Sequence, residues 1–258
     1  MSKLVGSISL IFFLVSCSFN STNYEQIVFA QKEINQQNYL SAKERLERVL
    51  SSHLSLELRA KVLHQVGVLN AFHLDNVKDG LKSFKLVLEL PLEENKKRKS
   101  LLFLADLYFS KLRDFKNSEL LYRKLLNFEK DGHFDQFLYF RYIKSIFEQG
   151  KFKEVENEYR LNEEKFSSFK FRIISTLSIC FLKKTNDCEK KLNDLKRDNL
   201  TPSQVTEVNF FLANLFEENG DLEKSYKTYS RLISTHPNPN LIKFRLDKIV
   251  ERKKAEKR

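Results

Sequence analysis

The chain repeats itself about every 37 residues, and this period restricts its possible folds more than any other feature. A small side chain recurs early in the second helix of each predicted unit, at spacings of 38, 38, 37, 33 and 37 residues. These positions are Ala42, Gly80, Ser118, Val155, Cys188 and Ser225. A fixed period of 20 to 50 residues indicates a protein built by stacking one supersecondary unit.

Apolar residues accompany each small residue at helical spacing. Four residues later stand Leu46, Phe84, Tyr122, Tyr159, Leu192 and Tyr229. Positions three residues before and seven residues after are also mostly apolar, although Asn162 interrupts the pattern. These offsets fall on one face of a helix. The preceding helices carry a small residue that would let two backbones approach, at Ala30, Gly67, Ala105 and Ala213.

The composition favours helices over sheets. Only six glycines and four prolines occur in 258 residues, too few for a hairpin turn every ten residues. A helical hairpin cannot bury both of its apolar faces alone, so the units must stack on one another. The prediction is an all-α repeat protein.

The last unit resembles the tetratricopeptide repeat (TPR), a helical hairpin of about 34 residues. The matching residues are Leu212, Ala213, Phe216, Gly220, Ser225, Tyr229 and Pro237. The unit from Leu104 to Tyr122 matches nearly as well, whereas most periods are longer than in the family and the unit around Thr185 and Cys188 is degenerate. The resemblance implies a TPR-like α-solenoid of about six hairpins over residues 24–238.

Residues 239–258 are the expected capping helix and basic tail. An apolar stripe runs through Leu241, Ile242, Phe244, Leu246, Ile249 and Val250. The following ERKKAEKR, residues 251–258, is almost entirely charged. We expect this tail to leave the helix and fray.

The first residues have the pattern of an export signal. Lys3 precedes an apolar run from Leu4 to Val15, which is too short to cross roughly 30 Å of hydrocarbon. The run ends in Leu14-Val15-Ser16-Cys17, which resembles the lipobox of bacterial lipoproteins. The resemblance implies a signal peptide over residues 1–16, covalent lipid on Cys17 and a polar tether over residues 17–23. An ordinary secretory signal, or a buried N-terminal helix with a chance cysteine, is the alternative.

The residue after the cysteine indicates to which membrane such a lipoprotein would be sorted. Lipoproteins with aspartate there tend to stay in the inner membrane, and this chain has Ser18. Two or three acyl chains anchor a protein stably where one would be marginal. The resemblance therefore implies a lipid-anchored protein on the periplasmic face of the bacterial outer membrane, with the inner membrane less favoured.

No pattern in the chain indicates catalysis or a metal site. None of the histidines has metal-ligand spacing or stands in an HExxH motif; they are His53, His64, His73, His133 and His236. Nucleophile-elbow, phosphate-loop and dinucleotide-binding motifs do not occur in the sequence. We expect no enzyme, no small-molecule substrate and no cofactor apart from the lipid on Cys17.

Cys180 and Cys188 have two possible roles. In an oxidising compartment they could form a disulfide that closes a nine-residue loop, worth about 2.6 kcal/mol in the chain-entropy model. Cys188 also stands at the small position that alanine or serine fills elsewhere, which fits an inert buried thiol. The sequence leaves both open.

The net charge of +11 suggests an anionic partner. In the cytoplasm it would favour nucleic acid, but export argues against that partner. Two clusters are dense, Lys96 to Lys99 and Arg252 to Arg258. Their ordinary interpretation is a solvated helix start and a solubilising tail. The alternative function is a peripheral binder of envelope polyanions such as lipopolysaccharide or phospholipid.

The family binds partners along the concave face formed by first helices. By resemblance, groove-facing positions here are Ile27, His64, Leu102, Phe109, Phe140, Phe147 and Phe210, together with Ile34 and Ala71. Such an apolar groove would take an amphipathic helix or an extended segment. The competing interpretation is that these side chains pack between neighbouring helices. Substituting Phe109 and Phe147 by serine separates the two, since packing residues would cost stability with no selective loss of a partner.

These features together predict a membrane-anchored periplasmic scaffold for protein partners of the cell envelope. A lipidated cysteine before five or six such repeats is a plan shared with the accessory lipoproteins of outer-membrane β-barrel assembly and with the pilotins of secretins and pili. No motif assigns the chain to either group.

Overall fold

The computed structural model describes residues 22–128, 135–182 and 185–255. Every regular element in these ranges is a helix. The helices are α1 (22–35), α2 (Tyr39–Leu50), α3 (Leu56–Val68), α4 (Val77–Glu89), α5 (Glu94–Leu107), α6 (Phe115–Leu126), α7 (Gln136–Glu148), α8 (Phe152–Leu161), α9 (Phe169–Phe181), α10 (Thr185–Lys196), α11 (Pro202–Glu218), α12 (Leu222–Ser230) and α13 (Pro239–Ala255). The predicted lipobox, Cys17, most of the tether, His133 and residues 256–258 lie outside the described ranges.

The chain divides into two compact units between Leu138 and Tyr139, inside α7. In unit 1, each of the helices α2 to α6 packs on the next one in sequence, and α3 also touches α5. In unit 2, the helices from α8 to α13 likewise pack in sequence order. Packing between neighbouring repeats within each unit is the solenoid arrangement that the repeat period predicts.

The periodic positions form the core, as predicted. The small residues from Ala42 to Ser225 are all buried. The large residues four positions later are buried as well, except for Tyr159, which is half-buried. Asn162, where the apolar stripe breaks, is the residue at which α8 ends. Its side-chain amide donates to the Glu158 carbonyl at 3.0 Å instead of packing in the core.

The small residue serves close helix packing at Gly80 of unit 1 and hydrogen bonding at Ser225 of unit 2. A Cβ atom on Gly80 would lie 2.5 Å from the Cβ of Ala71, closer than side chains approach. At the equivalent position of unit 2, the Ser225 hydroxyl donates to the Ala213 carbonyl at 2.9 Å. The backbone around Ala71 and helix α4 therefore approach too closely for any side chain at residue 80, whereas α11 and α12 leave room for a small polar one at residue 225.

The turn inside a repeat uses a left-handed residue five positions before the small one. These residues are Gln37, Asp75, Arg113, Gly150 and Gly220, with φ between 52° and 79°. Glycine adopts this conformation without steric cost, whereas other residues pay roughly 1–2 kcal/mol. The described turns of unit 1 thus carry backbone strain that those of unit 2 avoid.

Two repeats of unit 1 contain one extra residue, held in a π-helical turn. The segments Leu69–His73 and Tyr108–Leu112 continue α3 and α5 in this form. The small residue Gly67 precedes its left-handed turn residue by eight positions, against seven for Ala213. A single inserted residue is commonly absorbed in this way, and it accounts for part of the long period.

The C-terminal helix corrects two expectations. Helix α13 continues to Ala255, so the charged residues 251–255 do not fray. Lys253 pairs with Glu223, and Arg252 lies 3.6 Å from the Glu217 carboxylate, which ties the helix end to α11 and α12. Phe244 does not join the buried stripe, since 56% of its surface is exposed. It lies on the exposed side of α13, two residues from buried Ile242 and Leu246.

A disulfide joins Cys180 to Cys188, with their Cα atoms 4.8 Å apart. It links the end of α9 to the first turns of α10. Cys188 is also fully buried at the small position of its repeat. Of the two roles that the sequence left open, the structure has the disulfide and not the inert thiol, although Cys188 does fill the buried small position of the least regular repeat.

Candidate functional site

The predicted groove residues of unit 1 lie partly inside the unit. Ile27 packs against the core around Ala30 and Leu46. Leu102 and Phe109 are half-buried, and the Phe109 ring meets that of Phe115 edge-on at 5.6 Å. His64 is buried, with 9% of its surface exposed. Ile34 and Ala71, of the second row, are half-buried and fully buried.

The predicted groove residues of unit 2 also pack against other residues of unit 2. Phe140 meets Phe171 edge-on at 5.8 Å. The Phe147 ring lies 5.4 Å from Phe152 and 5.8 Å from Phe181, and Phe210 packs on the core around Tyr229. Packing therefore accounts for part of this aromatic character. Contact of these residues with a partner stays a prediction.

One of the predicted residues, His64, does line an open cleft. The cleft lies between the first helices α3 and α5 of unit 1 and holds about 530 Å³. Its walls are Glu57, Ala60, Lys61, His64 and Gln65 of α3, Lys96, Lys99 and Ser100 of α5, Val87 of α4 and Leu92 of the intervening turn. We call it the α3–α5 cleft. Ligand sites typically have volumes of about 300–1,000 Å³.

The floor of the cleft is apolar. Ala60 and Val87 belong to a buried cluster against which Leu90 and Leu92 pack. This floor exists because α4 and the turn after it close the space between α3 and α5 from below. An apolar side chain of a partner would find matching surface there.

His64 forms a neutral polar wall. Its Nδ1 lies 2.9 Å from the Ser100 hydroxyl oxygen, and its ring meets Phe103 edge-on at 5.0 Å. Burial, aided by the charge of Lys99, lowers the pKa of His64 to about 4. The imidazole is therefore uncharged at neutral pH.

The Ser100 and His64 pair is not built for nucleophilic catalysis. Ser100 is only 3% exposed, and the described contacts of the His64 ring are Ser100 and aromatic rings, with no carboxylate to orient it. A base with a pKa of about 4 also accepts protons poorly at neutral pH. The pair instead joins α3 to α5.

The mouth of the cleft is positively charged. Lys96 of α5 bonds Glu57 of α3 at 2.7 Å, and this contact lowers the pKa of Glu57 and raises that of Lys96. Lys61 and Lys99 are exposed, and neither has an ion-pair partner in the described part of the chain. The lining thus holds two ammonium groups outside any described ion pair, one on each helix, of which Lys61 is attracted at longer range to Glu57.

Sequence reasoning missed Lys61 and Ser100 and named Lys99 only as part of a basic cluster, although a signal for pairing the two lysines was present. Lys61 and Lys99 are one repeat period apart, and each precedes a predicted groove position by three residues. Three residues correspond to one helical turn on the same face. The pairing of Ser100 with His64 depends on the placement of two helices and has no such signal.

Unit 2 contains a cavity of a different kind. It holds about 180 Å³ and is lined by Asn214, Glu217, Glu218, Arg245 and Arg252. Both arginines lie within 4 Å of the Glu217 carboxylate, at 3.8 and 3.6 Å. Its charges compensate one another, so it offers no excess of either sign.

Neither a metal cluster nor a membrane-spanning helix occurs among the described residues. They contain no group of three or more His, Cys, Asp or Glu side chains that could hold a metal ion. Among the helices described, none is both long and apolar enough to cross a membrane.

Comparison with known proteins establishes the fold. No family model matches the sequence, and no curated protein is significantly similar to it. A tetratricopeptide repeat protein from Parabacteroides merdae ATCC 43184 is similar in structure over 89% of this chain and 99% of its own, with 14% identity and a TM-score of 0.58. The TPR2AB domain of yeast Sti1, solved in a pHSP90 complex, aligns over 89% of this chain and 97% of its own at 12% identity, with a TM-score of 0.42. The protein is a TPR-like α-solenoid.

Proposed function

We propose that the protein is a lipid-anchored scaffold of the bacterial cell envelope that binds protein partners along the inner faces of its first helices. The observation that carries the binding role is the α3–α5 cleft. It opens between two successive first helices at a position, His64, that the repeat register assigns to the groove. Fold, apolar floor and polar walls together suit peptide recognition better than chemistry on a substrate.

Anchoring rests on the sequence Leu14-Val15-Ser16-Cys17. The first described residue, 22, is already helical, and five residues from Cys17 reach at most about 17 Å. Lipid on Cys17 would therefore hold the first repeat close to the bilayer. The disulfide between Cys180 and Cys188 supports export, because such bonds persist in oxidising compartments.

The finer assignment follows from the same residues. Ser18 after the cysteine favours the outer membrane, and a periplasmic position makes assembling outer-membrane proteins, secretins or pilus subunits the partner class that we propose. The basic tail and the Lys96 cluster give less support to a polyanion binder. Lys96 is paired with Glu57, Lys97 is buried with its ammonium 2.9 Å from the Leu88 carbonyl oxygen, and Lys253 is paired with Glu223.

Metabolic labelling with palmitate tests the anchoring. We expect label on the native chain, none on a Cys17→Ala variant, and recovery of the native chain with the outer membrane on a density gradient. Captured partners should include an envelope protein that the Cys17→Ala form fails to retain. An unlabelled chain that fractionates with the cytosol would reject the proposal.

A further inference from the structure

We infer that the α3–α5 cleft selects a protein segment in which a large apolar side chain is flanked by carboxylates. The inference concerns the occupant of the groove and so rests on the binding half of the proposed function, but not on lipid anchoring. It starts from Lys61 and Lys99, which occupy equivalent positions on successive first helices and line the same cleft.

The charges of the lining are unequal. Three lysines face one glutamate, which bonds Lys96 at 2.7 Å and is attracted at longer range to Lys61, so the lining keeps an excess of positive charge. His64 adds no charge near neutral pH because it is unprotonated. The remaining ammonium groups of Lys61 and Lys99 are best satisfied by carboxylates, since charge-assisted hydrogen bonds are stronger than neutral ones.

The apolar floor adds a second requirement. Ala60, Val87 and Leu92 present hydrocarbon in the cleft that the two lysines also line. A carboxylate alone would leave this apolar surface exposed to water. In a segment with an apolar side chain between two acidic residues, the apolar side chain covers the floor and the two carboxylates reach the ammonium groups. A volume of about 530 Å³ accommodates such a side chain with part of its backbone.

The experiment uses the full mature chain, made soluble by Cys17→Ser, and a random library of displayed twelve-residue peptides. Selected peptides are then titrated individually by fluorescence anisotropy. We expect selected sequences that place Asp or Glu next to Leu, Ile or Phe. A Lys61→Gln/Lys99→Gln variant should bind them at least tenfold more weakly, as should native protein offered the peptide with Gln for Glu.

The chain offers a matched control. Lys78 and Lys116 are likewise one repeat period apart and exposed, but they lie on the second helices α4 and α6. A Lys78→Gln/Lys116→Gln variant removes the same charge, so it should change peptide affinity by less than twofold. Thermal unfolding of both variants checks that neither loss reflects misfolding.

Several results would overturn the inference. These are selection of peptides without acidic residues, absence of selected peptides, equal weakening by both lysine pairs, and no weakening by either. Anionic phosphatidylglycerol vesicles form the last arm, and vesicle binding that depends on Lys61 and Lys99 in place of peptide binding would also overturn it. Should a protein nonetheless crosslink to the cleft in cells, the scaffold would stand and only this chemistry would fail.

Discussion

Units 1 and 2 follow one repeat plan but maintain it by different means. In unit 1 the repeats recur at an even spacing, the helices approach through Gly67 and Gly80, and left-handed turns are made by residues other than glycine. In unit 2 one repeat is shortened, the described left-handed turns use Gly150 and Gly220, and a disulfide fixes the irregular repeat. Close helix packing in unit 1 and a disulfide in unit 2 thus each stabilise the stacked helices.

The largest expected difference concerns the disulfide. Replacing both cysteines, as Cys180→Ser with Cys188→Ala, should lower the free energy of unfolding of unit 2 by about 2.6 kcal/mol, because the unfolded chain regains loop entropy. Hydrogen exchange measured by mass spectrometry should accelerate in α9 and α10, with α3 and α4 unchanged as internal control. Equal acceleration in both units would mean that the bond does not act locally.

The second contrast is the cost of a substitution at the small position, Gly80 in unit 1 and Ser225 in unit 2. Gly80→Ala should destabilise unit 1 by about 1–3 kcal/mol, because the new Cβ would meet Ala71. Ser225→Ala should cost unit 2 only about 1 kcal/mol through one lost hydrogen bond. Urea unfolding measures both. Helix propensity alone predicts a gain of about 1 kcal/mol for Gly80→Ala, so a stabilised variant would contradict the close packing.

His64 gives unit 1 a pH dependence of its own. Its pKa is about 4 in the folded chain against 6.5 normally, so between these values the unfolded state binds more protons. The free energy of unfolding should therefore fall as the pH drops from about 6.5 to about 4, and the contribution should be complete above 6.5. We expect a loss on the order of 1–2 kcal/mol, since the open cleft screens part of the effect. Urea titrations at pH 7 and 4.5 should show this loss in the native chain, and His64→Gln should remove it. An equal loss of unfolding free energy in the variant would exclude His64 as the cause.

The turns provide the smallest contrast. Arg113→Gly should stabilise unit 1 by up to about 1 kcal/mol, and Gly150→Ala should destabilise unit 2 by a similar amount, because both residues have φ above 50°. Thermal unfolding of the two single variants measures this. Arg113→Ala is the control for loss of the arginine side chain. Destabilisation by Arg113→Gly beyond that of the alanine variant would show that strain at this turn is negligible.

Local repetition is what made the fold predictable. The offsets around Ala42 and its equivalents identified buried positions because a stacked helix must repeat its apolar face. Phe244 was misassigned because apolar character alone does not show which side of α13 packs: it lies two residues from buried Ile242 and Leu246, on the exposed side of the helix. The charged residues 251–255 stay helical through pairs with Glu217 and Glu223, which are distant in sequence and leave no periodic signal.

The candidate site was predictable only in part. His64 fell in the groove register, and the two lysines one repeat period apart could have been noticed. The cleft itself could not be foreseen, since its volume depends on how Leu92 and Val87 close the space between α3 and α5. The two π-helical turns likewise follow from one extra residue in each of two repeats of unit 1, whose position in the helix the sequence does not mark.

Site-specific photocrosslinking in living cells tests the central claim most directly. A photoreactive phenylalanine at Gln65, inside the α3–α5 cleft, is compared with the same residue at Lys85, which is exposed on α4. The account predicts a discrete crosslinked envelope protein from Gln65 and none from Lys85. Equal crosslinking from both positions, or from Lys85 alone, would contradict a partner held between the first helices.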